Sequence, residues 1–453
     1  MESIDTLVCA RWIAPVEPDV VLERHALAIR AGRVVALLPE AEARTRFAAR
    51  EHVERPEHLL TPGLVNASVR GAAALFRGLG DGQPRDVRDA RLRALQLAWA
   101  TTEAVRDGTS LAIAELLAAG VTCFGDTGPF PDTVAATAVD AGIRVAVGLP
   151  IDERPTVWAS DADEHFERGL RVHDDYRDHP LVSAAFTAAE VGSLTDATLQ
   201  RLKVLVDQLE APLVVPLHES AAAVAACRRE HGATPLVRLE RLGLLNGSLV
   251  GVHFTHVGRD EILAAGRARM RAVHCPTADL ALGAGIAPVP ALLEAGIDVC
   301  LGSGPAVVTG DLDLVHEMRL ASLLAAGTSG DATALPPLLA LRLATLYGAA
   351  ALGIDDQTGS LAAGKWADFA CFDLARLPTL AFDDPLVALV RAGGRDLVTD
   401  VRVAGREVCA NGSPTRLDVA EVAARAAEWR HHRLAGVPAA ARQWALSTPS
   451  GAT

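Results

Sequence analysis

Residues 62–82 read PGLVNASVRGAAALFRGLGDG, and the LVNASV inside them (64–69) is the first of eight short β-like runs. The others are VTCFGD (121–126), VAVGLP (145–150), VSAAFT (182–187), PLVVPLH (212–218), SLVGVHF (248–254), MRAVHC (270–275) and IDVCLGS (297–303). The stretches between them, such as DGTSLAIAELLAAG (107–120) and AAAVAACRREHG (221–232), space their apolar residues as helices do. Strand and helix alternating eight times over about 250 residues is the pattern of an α/β fold closed into a parallel (β/α)8 barrel, a TIM barrel. An open doubly wound sheet is the alternative. It would more often carry a Gly-rich fingerprint after its first strand, and none is present.

Outward from the barrel, residues 1–58 hold alternating strands (HALAIRAGRVVALL) and residues 358–415 hold more (ADFACFDL, LVTDVRVAGREVCANG), with turn glycines between them. Neither flank alone can bury a sheet, so the two are expected to form one small composite β-sandwich around a barrel at 59–357. The remaining residues, 416–453, read as a helical tail in which Asp418 caps DVAEVAARAAEWRHHRL.

Composition narrows the function classes. The formal net charge of −13 speaks against a nucleic-acid partner. No run approaches the roughly 20 apolar residues of a membrane span. The opening MESIDTLVCARWIAPVEPDV lacks a basic stretch followed by an apolar one, so no signal peptide is expected. Seven dispersed cysteines without a CxxC suit buried thiols in a reducing cytoplasm.

Several blocks in order along the chain resemble the amidohydrolase superfamily, in the branch of the triazine hydrolases and the methylthioadenosine/S-adenosylhomocysteine deaminases. These are RWIAPVEPDVVLERHALAIRAGRVVALLP (11–39), the 62–82 segment, PLHESAAAVAACRREHGATPLVRLERLGLL (216–245), VHCPTADLALGAGIAPVPALLEAGIDVCLGSG (273–304), DLDLVHEMRLASLL (311–324) and GSLAAGKWADFACFDL (359–374). The resemblance implies a metal held by two histidines on strand one, a histidine on strand five and an aspartate on strand eight. It also implies a proton-shuttling glutamate three residues after the strand-five ligand, and a strand-six histidine that polarises substrate or water. Here the four ligand positions are Ser68, Arg70, Pro216 and Gly304, while Glu219 and His253 keep the two acid–base positions. A hydroxyl is at best a weak ligand, a guanidinium has no lone pair free for a cation, and the Pro216 side chain has no donor atom. The family's Trp-Pro-x-Glu ribose grip aligns with Arg93, Ala94, Leu95 and Gln96. Its Pro-His-Ala-Pro-Tyr aligns with Ala188, Ala189, Glu190, Val191 and Gly192.

No metal and no other cofactor is therefore expected, and loss of the first shell removes the usual source of hydroxide near neutral pH. Side chains alternate along a strand, so Ser68 and Arg70 should both face the barrel mouth. There Arg70 can take a substrate anion or oxyanion in fork geometry, or plug the cavity as an ion pair with Glu219. Glu219, His253 and Arg70 are the candidate catalytic residues; Ser68, His218, Gln96, Glu190 and Gly304 are the candidate substrate contacts. His274 reads as a structural or pocket-wall residue, and Asp311 and Asp313 as the start of a helix.

Three readings follow. The first is a metal-independent enzyme acting on a small polar molecule, anionic or rich in nitrogen. The second is a catalytically inactive homologue that binds a ligand or regulates a partner. The third is a hydrolase or deaminase whose metal has moved to His218, His253, His256 and Glu219. A small-molecule ligand is expected as partner, with the chain a homodimer or paired with a relative, and no membrane or nucleic acid.

Overall fold

The structure is a computed structural model and describes residues 1–79, 82–83, 87, 94 and 99–436. Strands β1 (Glu2–Ile13), β2 (Leu22–Arg30), β3 (Arg33–Pro39) and β4 (Phe47–Pro62) come first. The barrel follows as β5 (Leu64–Val69), β6 (Val121–Asp126), β7 (Arg144–Ile151), β8 (Val182–Ala188), β9 (Leu213–Leu217), β10 (Leu249–His253), β11 (Arg271–His274) and β12 (Asp298–Leu301). Each falls on one of the eight runs read from the sequence. Neighbours pair in parallel in chain order, with crossovers that are mostly helical, such as Thr102–Ala118 and Asp196–Leu209.

A parallel bridge between Val69 and Gly304 brings the last strand end to the first, supported by Gly304 N–H donating to the Ser68 carbonyl at 2.9 Å. Side chains are unwelcome at this seam. A Cβ on Gly302 would lie 2.9 Å from the Ser68 Cβ, which explains the glycine. Covered by helices on its outside, the barrel buries its strands almost throughout, and this is why they read as apolar runs.

The chain returns through β13 (Phe369–Asp373), β14 (Val398–Val403), β15 (Arg406–Ala410) and β16 (Ser413–Pro414). The expected composite of the two ends takes the form of one continuous mixed sheet, ordered β16-β15-β14-β13-β4-β1-β2-β3. The join is the antiparallel pair β13–β4, in register from Phe369 against Pro62 to Asp373 against His58. Alternation gives the sheet two apolar faces. Val8, Leu27, Leu60 and Phe369 lie in one cluster; Leu7, Cys9, Ala28 and Phe47 lie in the other. Within the expected tail, Val419–Gly436 form a helix that lies on helix Thr102–Ala118, with Trp429 Nε1 donating to Asp107 at 2.8 Å, and residues 437–453 lie outside the described residues. All seven cysteines are buried free thiols.

One buried ion pair bolts barrel to sheet. Arg144, at the start of β7, donates to both oxygens of Asp368, at 2.5 and 3.2 Å. Thr358 and the Ala404 N–H complete that carboxylate, and the Pro180 carbonyl takes another guanidinium proton. Arg144→Met should strand a fully buried carboxylate and lower unfolding free energy by about 3–5 kcal/mol. Arg144→Met with Asp368→Leu should recover part of that loss. Urea unfolding of both variants checks this, and equal losses in the single and the double would show that the stranded carboxylate is not what costs the stability.

Candidate active site at the barrel mouth

In a parallel barrel the strand ends and the loops after them build the site. β9 and β10 end in unusual backbone. His218, His253 and Phe254 all have left-handed φ values of 53°, 78° and 56°. Non-glycine residues hold such a conformation only where surrounding bonds impose it, at a cost of about 1–3 kcal/mol each. Here the two strand ends are stitched together: Phe254 N–H donates to the Leu217 carbonyl, and His256 N–H and Thr255 Oγ1 both donate to the His218 carbonyl. That stitching fixes Glu219 against His253, whose Nε2 lies 3.8 Å from Glu219 Oε2.

His253 is held from behind as well. Its Nδ1 lies 2.6 Å from Asp279 Oδ1, and Asp279 is buried on the short helix Pro276–Ala281. Burial alone would raise the Asp279 carboxyl, but the imidazoles of His253 and His274 more than offset it and hold the group below the usual carboxylate range. One layer further back, Glu317 accepts the Thr277 N–H at 3.1 Å and so pins the start of that helix. Burial pushes the Glu317 carboxyl up to about 8. Sequence reading missed both carboxylates. Asp279 and Glu317 both lie inside stretches that resemble the family, but neither carries a spacing that marks it.

Strand β5 holds Ser68 buried against Gly302 and near the Cys275 thiol. Arg70 sits one residue past the strand end and leans towards β6, its Nε 3.4 Å from Thr127 Oγ1. Among the described residues Arg70 forms no ion pair with Glu219, so the expected plug is not what the geometry contains. Its charge acts instead on Asp126. Burial raises that carboxyl, while the N–H groups of Gly71 and Gly128, at 2.6 and 2.7 Å, and the Arg70 charge pull it back down.

His218 turns out of the mouth. Nδ1 lies 2.9 Å from the His256 carbonyl and Nε2 accepts the Leu236 N–H at 3.3 Å. With both ring nitrogens committed to backbone, it offers no lone pair to a metal or substrate; the left-handed turn at this residue, invisible in sequence, is the reason. Glu190 is exposed in the loop after β8. Gln96 lies outside the described residues, as do Arg93 and Leu95. Gly304 carries a φ of 71°, and a Cβ there would meet the Ala278 Cβ at 2.9 Å.

A zinc site needs three or four donors converging at roughly 2.0–2.3 Å. Among the described residues no three His, Cys, Asp or Glu donors gather at the mouth. The one such grouping among the described residues, Cys9 and Glu54 of the mixed sheet with Glu40 of the helix Glu40–Arg46, already has Arg44 bridging its two carboxylates. The described residues of the mouth therefore do not fit a metal.

Glu317 should make stability fall as pH rises. Its folded value of about 8 stands above the ordinary 4.5, so its contribution is complete below about pH 4.5 and is lost as pH rises to 8. Glu317→Gln keeps an acceptor for Thr277 and should abolish a decline of roughly 3 kcal/mol between about pH 5 and pH 8. Comparing the two proteins isolates this slope from His58, His165 and His218, which burial lowers and which act in the opposite sense below pH 6.5. Parallel pH profiles for wild type and variant would refute it.

Residues 59–408 match the Amidohydrolase family. The chain is 36% identical over 428 residues to a 5-methylthioadenosine/S-adenosylhomocysteine deaminase of Saccharophagus degradans, covering 94% of this chain and 96% of the relative. It is 41% identical to the solved structure of an adenosine deaminase from Xanthomonas campestris with bound zinc, at a TM-score of 0.94 and with 95% and 99% of the two chains covered. The zinc-complexed atrazine chlorohydrolase of Arthrobacter aurescens TC1, at 21% identity and a TM-score of 0.86 over 94% of this chain and 99% of that one, shares the fold. Family match, close relatives and barrel agree: the chain belongs to the amidohydrolase family.

Proposed function

We propose that this chain is a metal-independent hydrolase or deaminase acting on a small polar substrate, anionic or rich in nitrogen. Glu219 and His253 are its acid–base pair, and Arg70 supplies positive charge. The observation that carries the reading is the donor set of the mouth. Glu219 and His253 stand 3.8 Å apart beside Ser68, Arg70, Pro216 and Gly304, which we read as the substituted metal-ligand positions.

The names of the relatives favour an exocyclic amine as the reacting group. Water adds to the amine-bearing carbon and the amine leaves as ammonia, so an oxygen replaces a nitrogen and no oxidant is needed. Glu219 takes the proton from the water and passes it to the departing amine, while His253 hydrogen-bonds the incoming oxygen. Without a metal the water keeps its ordinary acidity, and a positioned base contributes about 10²–10⁴-fold. Turnover is accordingly expected to be slow.

The test is elemental analysis of the purified protein, with ammonia release from 5′-methylthioadenosine, S-adenosylhomocysteine and adenosine measured with and without chelator. Slow release indifferent to chelator is expected. About one zinc per chain, removable with loss of activity, would sink the reading. The second reading, a ligand-binding homologue without activity, draws on Arg70 being engaged by Thr127. Saturable binding of these nucleosides with no ammonia would establish it instead.

Restoring one carboxylate should not rebuild a metal site. Gly304→Asp forces a side chain into a left-handed backbone position and against Ala278, at a cost of about 1–3 kcal/mol. A lowered melting temperature, with no added zinc in the purified variant, is the expected outcome.

A further inference from the structure

We infer that Asp279 is the positioning residue for His253: it holds the Nδ1 proton of the ring and so leaves Nε2 as the nitrogen that trades protons with Glu219 and the mouth. This deepens the acid–base reading and rests on it for its effect on turnover. The geometry itself stands apart from that reading.

Oδ1 of Asp279 approaches Nδ1 of His253 at 2.6 Å, and the Asp279 side chain is 1% exposed. An ionised carboxylate only accepts hydrogen bonds, so Nδ1 must carry hydrogen whether the ring is neutral or charged. A neutral His253 can then only accept at Nε2, and a protonated one can only donate there. Proton exchange is confined to Nε2, which faces the mouth and lies 3.8 Å from Glu219, a gap that a water or substrate atom must bridge. Without Asp279 the proton could sit on either nitrogen and the ring could turn over.

The carboxylate is itself fixed. Asp279 N–H donates to the Cys275 carbonyl, its own carbonyl accepts from Ala284 N–H, and Glu317 anchors Thr277 two residues earlier. On the far side Nδ1 of His274 lies 3.7 Å from Oδ2, beyond hydrogen-bond reach, so it attracts the carboxylate without competing for Oδ1. Among the described residues buried His274 has no hydrogen-bond partner, and Asp279 is a group it faces.

The experiment is long-range proton–nitrogen NMR of the His253 ring, assigned with His253→Gln, in wild type, Asp279→Leu and Asp279→Asn. Wild type should show the Nδ1–H tautomer. Asp279→Asn should keep it through the amide oxygen, and Asp279→Leu should lose it. Turnover of 5′-methylthioadenosine by Asp279→Leu should fall about 10²–10⁴-fold in kcat with KM changed little, since one acid–base partner is misaligned.

An Nε2–H tautomer in wild type overturns the inference even if Asp279→Leu fails to fold. So does an unchanged Nδ1–H tautomer in a folded Asp279→Leu. The Nδ1–H tautomer in wild type without turnover of any of the three nucleosides upholds Asp279 and sinks the enzyme reading. Undiminished kcat in a folded Asp279→Leu overturns the positioning role and leaves that reading standing.

Discussion

The Arg144–Asp368 pair sets the frame within which everything else is placed. Both side chains are almost wholly excluded from water, at 4% and 0% exposure. Removing two ions from water costs several kcal/mol each, and only complete hydrogen bonding offsets that. Asp368 has it: two guanidinium protons, the Thr358 hydroxyl and the Ala404 N–H. A shift in how β13 meets β4 would move the carboxylate just before β13 away from Arg144 and leave the guanidinium buried without its anion. The pair thus penalises wrong joins between barrel and sheet. It lies at the N-terminal end of β7, opposite the mouth, where β4 runs directly into β5.

A floor fixed in this way allows the opposite end to hold strained backbone. Left-handed residues at the ends of β9 and β10 would relax if the strands could slide past each other. The ladder Leu249↔Leu213 through His253↔Leu217 prevents that, and the cross-strand bonds at the His218 carbonyl finish the lock. Strain at His218 swings its imidazole outward onto backbone groups and directs the next residue, Glu219, towards His253. Structure and chemistry meet at this point: the same peptide turn retires one imidazole and presents one carboxylate.

The sequence displayed the barrel plainly because each strand is an apolar run closed off by glycine, proline or polar residues, and parallel strands under helices leave little else to read. The partnership of the chain ends was legible from need, since neither end had enough apolar surface alone. That they form a single sheet was not, because continuity depends on Phe369 meeting Pro62 across some 300 residues of chain. Glu219 and His253 were visible through their strand-end positions. Asp279 and Glu317 were hidden for a physical reason: a carboxylate gains its role from burial and from what it faces, and both come from the packing of one crossover helix on another. Arg70 shows the opposite limit. Alternation aimed it at the mouth, but the strand stops at Val69, and beyond that the face rule no longer determines direction.

On the metal-free reading, the mouth must balance its charge with side chains alone. Among the described residues, the carboxylates Asp126, Glu219 and Asp279 and the cation Arg70 are four of the charged groups there. Asp126 is buried, and that burial outweighs the two N–H groups and the Arg70 charge, so it is driven towards its neutral form. Asp279 is buried as well, yet it is driven the other way because two imidazoles face it. The difference between the two carboxylates is therefore neighbour identity rather than depth. That difference decides which of them can stay ionised behind His253, and it leaves Glu219, the most exposed of the three, as the one placed to exchange protons with a substrate.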